Sequence, residues 1–595
     1  MSKSIEELVD RVIETDFLVV GGGLVGGIAA LRAKKNNPDM DVTVIDKAKM
    51  EWSGDGVGLD NFNQVPLHEE DINRVVTEED ANKAIFGAKR LQGLSNLKMD
   101  AISMQNAHIS QPLLEEVGVR IREDDGTLYV IQAYRKGVNW ARLEYDDQGK
   151  ATEPLFGSLS RASDLKMKLC TAIRKKGARV LDRTMVTSVV TRDGVCVGVT
   201  ALNTRTNEFI FIKAKATMMA TGVMARLYPY RWSPYPNNLF YSITSPVNHG
   251  GGHMAAYNAG ARLYSMELGN VYNVSKGINH SSGGGGCNWY FKMYNSKGES
   301  LEDKYPDRVV TKAGGMIPGL NFMFSPNMKE AEIEHDVILS YKDKADSDTI
   351  AAVYLTAATE PTKALKFHKL AGGLTNEPPI ECDYTMPGIG MAGGGIHREN
   401  VYSETGVKNL FAAGGCTNTG GSLGFTWGCL IADHVTELIK GQELPKIDGD
   451  QLKQIEESRQ WVFAPLMRKM EYAVNPMELE SYIKQVAYNY VGIYKYTSKM
   501  QRGLELVKRA REGAVPMLTA GNPHELMRAI EVQHILDMTE MHIQSSLIRD
   551  ESRITPVHYR VEYPDLDHKW DNKIITIKKE AGTDKYEVIK LNEEL

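Results

Sequence analysis

Apolar runs and their spacing divide this chain into blocks of different texture. Residues 16–20 form a short apolar run suited to a buried parallel strand, and a glycine-rich stretch, 21–27, follows at once. Residues 28–35 read as helix and 42–45 as a second strand ending in Asp46, which together predict a complete β-α-β unit. Helical periodicity covers 70–120, strands are expected at 128–133 and near Val138, and 164–176 reads as an amphipathic helix. A strand at 179–181 precedes a three-stranded meander at 186–191, 195–203 and 208–213; a separate buried strand, 217–222, ends at a glycine turn. Residues 230–400 are richer in Tyr, Asn, Gly and Met, with loops and short helices expected, and read as an inserted capping domain. The buried-strand pattern returns at 409–415, and a helix is expected at 426–438. Residues 450–550 read as helical throughout with solvated charged faces, and the segment from 553 has strand character at 574–577 and 586–589.

Composition narrows the class. A length of 595 residues suggests about three or four domain-sized pieces. The formal net charge of −6 comes without any basic domain or stripe, which argues against a nucleic-acid partner. Six scattered cysteines form no C-x-x-C pair, so metal or iron–sulfur ligation within the chain is not expected, and their low number fits a reducing compartment. Residues 1–15 have no apolar signal core and no 18-residue apolar run occurs, so a soluble, cytoplasmic protein without a membrane span is expected.

The strongest chemical signal is Gly21-x-Gly23-x-x-Gly26 between strand and helix. The first glycine permits the turn, the second lets the backbone approach a pyrophosphate on the helix N-terminus, and the third lets helix and strand pack closely. Asp46 stands where a carboxylate can accept hydrogen bonds from a ribose. The fingerprint alone does not separate NAD from FAD. Thr221-Gly222 ends one strand, 410–415 is a second strand-to-glycine return, and a large insertion lies between them.

That order resembles the FAD-binding flavoproteins of the fumarate reductase and succinate dehydrogenase superfamily. Gly250 to Ala255, followed by Ala259-Gly260-Ala261, is similar to its glycine-rich stretch, and Ser53-Gly54 to its loop beside the flavin. Within the superfamily the likeness is strongest to the alpha subunit of adenylylsulfate reductase, carried by Asn37-Pro38-Asp39, Trp289-Tyr290-Phe291-Lys292, Asn475-Pro476, His524 to Ala529, Arg549 to Arg553 and Tyr559 to Pro564. The resemblance implies an α/β fold: a Rossmann-like FAD-binding domain (1–235 and 396–445), an inserted cap (236–395), a helical domain (446–552) and a C-terminal tail (553–595). It implies FAD held by Gly21, Gly23, Gly26, Asp46, Lys47, Ser53, Gly54, Val186, Thr221, Gly222, Gly414, Gly415, Ser422 and Leu423. It further implies a small ferredoxin-like partner carrying iron–sulfur clusters.

The active-site positions depart from that pattern. No histidine stands in 51–56, where succinate dehydrogenases attach their flavin, so a noncovalent FAD is expected. No arginine occurs in 420–425, and Leu268-Gly269 stand where adenylylsulfate reductase has a histidine–arginine pair; its second substrate histidine, near 388–390, is also lost. Gly415 replaces the acidic residue usual after the last flavin strand. Loss of fixed cations favours a less anionic substrate, such as an aromatic, enone or hydroxy compound. Around the flavin remain Tyr272, Asn273, Lys276, His280, Gly283 to Gly286, Tyr384, Met386, Met391, Gly393 to Gly395, His397 and Trp427. Hydride transfer needs a proton donor or acceptor facing the flavin. His280 and Tyr384 are the first candidates, His253 and His397 the next, and each also has a plain structural reading. The expectation is a two-electron redox enzyme. The alternatives are adenylylsulfate reductase, a fumarate-type enoate reductase and a non-catalytic flavoprotein that only transfers electrons.

Overall fold

A computed structural model of the chain describes residues 3–54, 61–66, 75–83, 93–119, 126, 156–160, 164–229, 240–241, 245–269, 272–275, 292–300, 304, 338–341, 380–385, 394–419, 422–554 and 557–591. Its centre is a seven-stranded sheet. Arg179–Leu181, Val42–Ile45, Arg11–Val20 and Phe209–Met219 pair in parallel in that order. Beyond them the neighbours divide. Val195–Asn203 pairs antiparallel with the first half of Phe209–Met219, and Leu410–Ala412 pairs in parallel with its last three residues. Thr184–Arg192 completes the meander.

The sheet is buried on both faces, as its near-continuous apolar strands require. Phe17 and Val19 face a layer made by the helices Leu24–Asn36, Leu165–Lys175 and Ser422–Leu438. Leu18 and Val20 face the opposite side, where Gly251–Asn258 and the C-terminal helices pack.

Two strands are longer than their apolar cores. The first begins at Arg11, and what reads as two strands at 208–213 and 217–222 is one, Phe209–Met219. The charges that obscured this are matched across the ladder: Arg11 with Glu208, Lys213 with Glu14 and Lys215 with Asp16. Helix Ser422–Leu438 likewise begins four residues before its expected start.

The expected helix over 70–120 is, among the described residues, three short ones: Glu78–Lys83, Leu97–Gln105 and Gln111–Glu116. Asn96 and Asn106 divide them, the first accepting from Met99 N at 3.1 Å and the second donating to Ile102 O at 2.8 Å. The block 450–550 is likewise four helices: Gly449–Met467, Pro476–Val486, Thr497–Gly513 and Pro523–Ile548. Asn475 and Asn522 cap the second and fourth, each followed by proline at the first helical position.

Their charged faces are not all solvated. Glu480 and Glu531 are buried with Arg226, which donates to Glu480 Oε1 from Nε at 3.0 Å and to Glu531 from Nη1. Lys47 also reaches Glu531, and Arg528 reaches both carboxylates, at 2.6 and 3.2 Å. Burial alone would raise the Glu480 carboxyl, yet Arg226 and Lys484 hold it down to about 2. This network ties the dinucleotide-binding part to the helical part.

Within 230–400 the described residues include a five-stranded sheet that the composition does not suggest. Tyr272–Ser275, Ile380–Thr385, Ile338–Tyr341 and Lys292–Asn295 run antiparallel in that order, and Phe240–Tyr241 joins Ile380–Thr385 in parallel. A second sheet joins distant parts of the chain: Gly395–Ile396, Leu263–Tyr264, Lys573–Glu580 and Thr583–Lys590. The strands expected at 128–133 and near Val138 lie outside the described residues. Among the described residues no helix is long and apolar enough to cross a membrane.

Candidate functional site

The glycine fingerprint turns at the end of the first strand. Gly21 N donates to Ile45 O at 2.8 Å, so the turn is tied to the neighbouring strand. A Cβ on Gly26 would stand 2.1 Å from Gly21 O and 2.9 Å from Val19 Cγ1, which only glycine avoids. Asp46, buried at the end of the second strand, organises the loops on either side. Its Oδ2 accepts from Gly22 N at 2.9 Å and Ser53 Oγ at 2.7 Å, and its Oδ1 from Ala48 N at 2.9 Å. The buried Lys166, which the sequence reading passed over, donates its ammonium to Gly22 O. Burial lowers its pKa, against the pull of nearby Cys170 and Asp46.

Gly23 is different. It caps the helix Leu24–Asn36 at an ordinary φ of −62°, and a Cβ there would meet nothing closer than Ala220 O at 4.0 Å. Neither conformation nor packing inside the protein calls for glycine. Gly54 has φ +73°, which does favour glycine, and the nearest atom to a Cβ built on it is Gly23 Cα, at 4.0 Å. The two glycines therefore face each other across open room at a helix N-terminus that no side chain caps. Such a terminus offers unpaired N–H groups and a favourable field to a phosphate. A dinucleotide pyrophosphate fits this cradle.

The returning strand clamps the same helix turn. A Cβ on Gly414 would lie 3.2 Å from Val25 Cγ2, one on Gly424 2.6 Å from the same atom, and one on Gly428 2.8 Å from Val25 O. A Cβ on Gly415 would stand 2.7 Å from Val223 Cγ1, so the turn after Thr221-Gly222 fills the place of an acidic side chain there. Thr221 Oγ1 is buried without a hydrogen-bond partner. Val186 is buried at an irregularity, the register slipping between it and Ser188. Ser422 and Leu423 open the helix Ser422–Leu438; their side chains lie outside the described residues.

Lys47 turns away from this cradle. Its ammonium reaches Glu531, Val247 O and, at 3.0 Å, His249 Nδ1. His249 stacks on His534 with ring centroids 5.4 Å apart, and burial together with Lys47 pushes it well below the usual histidine range.

The catalytic candidates are dispersed. His253 is wholly buried on the helix Gly251–Asn258, neither ring nitrogen has a partner, and burial lowers its pKa to about 4. His397 Nδ1 stands 3.3 Å from Glu399 Oε1, at ion-pair distance without hydrogen-bond alignment, and Arg262 holds Glu399 by two bonds of 2.8 and 3.0 Å. Tyr384 lies in the five-stranded sheet between Asn273 and Phe240; its side chain is outside the described residues. His280, Lys276, Gly283 to Gly286, Met386, Met391 and Gly393 lie outside them altogether.

One further group escaped the sequence reading. Arg398 lies over the Trp427 ring, 5.1 Å from its centroid, in the electrostatic reach of Tyr264 and Asp100. The signal available was an arginine directly after Gly395-Ile396-His397, in a stretch singled out for its glycines.

The sequence matches two protein families: the FAD binding domain family over residues 16–426 and the fumarate reductase flavoprotein C-terminal family over 480–594. An uncharacterized FAD-dependent oxidoreductase of Methanocaldococcus jannaschii is 23% identical, over 95% of this chain and 96% of that one. One subunit of the fumarate reductase (CoM/CoB) of Methanothermobacter marburgensis is also 23% identical, over 68% and 71%. Among solved structures, adenylylsulfate reductase of Archaeoglobus fulgidus superposes with a TM-score of 0.76 at 21% identity, covering 98% of this chain and 96% of that one. E. coli quinol fumarate reductase does so with a TM-score of 0.76 at 19% identity, over 98% and 97%.

Proposed function

This chain belongs to the FAD-binding-domain flavoproteins and ends in the C-terminal domain of the fumarate reductase flavoproteins, and from that premise we propose that it is the catalytic flavin subunit of a two-electron redox enzyme acting on a small organic substrate. It is an FAD-dependent oxidoreductase of the fumarate reductase and succinate dehydrogenase flavoprotein family. The proposal adds a noncovalent flavin, a substrate held between the cap (236–395) and the flavin, and an iron–sulfur partner.

The observation that carries the cofactor assignment is the Gly23–Gly54 cradle, whose room the described residues leave open. Bound there, FAD supplies a centre that accepts or gives a hydride equivalent. The chain's own residues do the rest. The N-terminus of Leu24–Asn36 receives the pyrophosphate, and Asp46 braces the loop carrying Ser53 and Gly54. No histidine stands in 51–56, the loop where succinate dehydrogenases attach their flavin. Of the proton donors considered, His397 has the best-supported surroundings among the described residues, with Glu399 and Arg262 behind its Nδ1. His253, sealed and unpartnered, suits a shaping role better. His280 and Tyr384 stay candidates on the sequence argument.

Two measurements test this. FAD that stays with acid-precipitated protein would contradict the noncovalent assignment. Anaerobic addition of substrates should bleach the flavin band near ~450 nm with one compound class. The panel is succinate, sulfite with adenosine monophosphate, and phenolic, enone or hydroxy compounds. Bleaching by sulfite with adenosine monophosphate would instead make the chain an adenylylsulfate reductase. Silence with all of them, in both directions, would favour the electron-transfer role or a missing partner.

A further inference from the structure

Arg398 has no counter-ion in contact among the described residues. Among the described residues it makes no salt bridge and no hydrogen bond, and its Nη1 is sealed from solvent without a partner. Its neighbours are the Trp427 ring, Tyr264 and, through space, Asp100. Asp100 is also short of a partner: its Oδ2 is buried without a hydrogen bond, and among the described residues no salt bridge joins it to Arg398. Asp100, Tyr264 and Arg398 are each only partly buried by area, so each residue keeps some surface open to solvent.

The group adjoins the proposed flavin side. Gly395, three residues before Arg398, packs so tightly that a Cβ on it would stand 2.3 Å from Cys416 O. Tyr264 donates to Thr417 O at 3.1 Å. Cys416 and Thr417 belong to the turn Gly414–Thr417, whose first residue touches Val25 of the fingerprint helix. A ligand reaching Arg398 is therefore one turn of chain from the dinucleotide cradle.

We propose that Arg398 receives the carboxylate of a monoanionic organic substrate, with Trp427 and Tyr264 shaping the space around it. This rests on the flavin-enzyme reading above and sharpens it. A guanidinium presents a planar fork matched to a carboxylate, and an indole face on one side holds that fork in orientation. The single charge follows from the company it keeps: one unpaired cation is available in this group, and the Asp100 carboxyl stands against a second negative charge. Tyr264 adds a rigid ring fixed through Thr417 O, so an aromatic or enoic acid suits the space better than a flexible diacid. The expectation of a less anionic substrate rests on the cations missing at the family's own positions. Arg398 supplies one from another position.

The probes are cinnamate and benzoate, each beside its amide, titrated into FAD-loaded protein while the oxidised-flavin spectrum is followed. The acids are expected to perturb the spectrum and the amides to bind about ten- to a hundredfold more weakly, the loss of one charge-assisted pair. Arg398→Gln should weaken the acids by a similar factor and leave the amides and FAD retention unchanged, and Arg398→Lys should recover part of the loss. Equal affinity for acid and amide would overturn the proposal. So would acid affinity unchanged in Arg398→Gln, a loss of FAD rather than of acid binding in that variant, or no perturbation by either acid. If Arg398→Gln does not fold, the acid–amide comparison in the unaltered protein and Arg398→Lys still decide. Bleaching by substrates reads the flavin-enzyme assignment separately: an enzyme that reacts while Arg398→Gln binds acids normally loses this proposal alone.

Discussion

Gly23 is a residue whose identity the folded chain does not explain by itself. Among the described residues an alanine Cβ there would meet nothing closer than Ala220 O at 4.0 Å, and its φ is one any residue adopts. The consequence is a separation of stability from cofactor affinity. Gly23→Ala should leave the melting temperature of the FAD-free protein within about 2 °C, a surface-like change, while weakening FAD by roughly a hundredfold, about 3 kcal/mol. Fluorescence titration with FAD beside thermal melting checks this, and a parallel loss of both would show that Gly23 is needed by the fold. Three buried histidines make a second residue-scale case. His253 and His534 are lowered by burial to about 4, and His542 by burial and Lys495 to about 3. Each folded value lies below the ordinary 6.5, so each takes up its proton on unfolding. Stability is then full above pH 6.5 and falls as the pH drops toward 4, by about 1.4 kcal/mol per pH unit per histidine. Asp100, raised by burial to about 6, works in the opposite sense between its ordinary value and 6. Denaturant midpoints at saturating FAD between pH 7 and ~4 should show the net fall, and a flat profile would show that these rings are not sealed in solution.

Among elements, the crossing of Leu24–Asn36 by Ser422–Leu438 is set by missing side chains. Gly424 and Gly428 lie one turn apart and bring the second helix onto Val25. Gly428→Leu should push the helices apart and cost about 1–3 kcal/mol in chemical denaturation, with weaker FAD binding, because Val25 belongs to the turn that forms the cradle. Unchanged stability would mean that the crossing adjusts freely. This crossing also shows where the sequence was legible. Glycines mark close approach, so the fingerprint loop and the returning 410–415 strand could be read directly. Strand ends could not, because Lys213 and Lys215 look like a break until Glu14 and Asp16 are seen beside them. The site was legible where backbone makes it and opaque where distant side chains do. Arg398, Asp100 and Trp427 come from three separate segments, and nothing in the chain announces that they meet.

At the scale of the whole molecule, one buried guanidinium joins the two halves. Arg226 sits between Glu480 and Glu531, and Lys47, Lys484 and Arg528 also hold these carboxylates. Arg226→Met would remove the guanidinium's hydrogen bonds to both carboxylates, leaving Lys47, Lys484 and Arg528 to hold them, and should cost about 1.5–3 kcal/mol. Differential scanning calorimetry should then show the helical part melting ahead of the rest, where the unaltered protein melts in one transition; a single unshifted transition would rule out this coupling.

The sheet holding Gly395–Ile396 has a consequence for how the protein is made. Its strand Leu263–Tyr264 has one edge on Ile396 and the other on Ile577. During synthesis residue 263 leaves the ribosome long before residue 577, roughly half a minute earlier at about 10 residues per second. Through that interval the nascent dinucleotide-binding half has one wall of its site open and a bare strand edge exposed. Flavin capture is then expected to wait for the 573–580 strand to emerge, and the waiting edge is what a chaperone would have to shield.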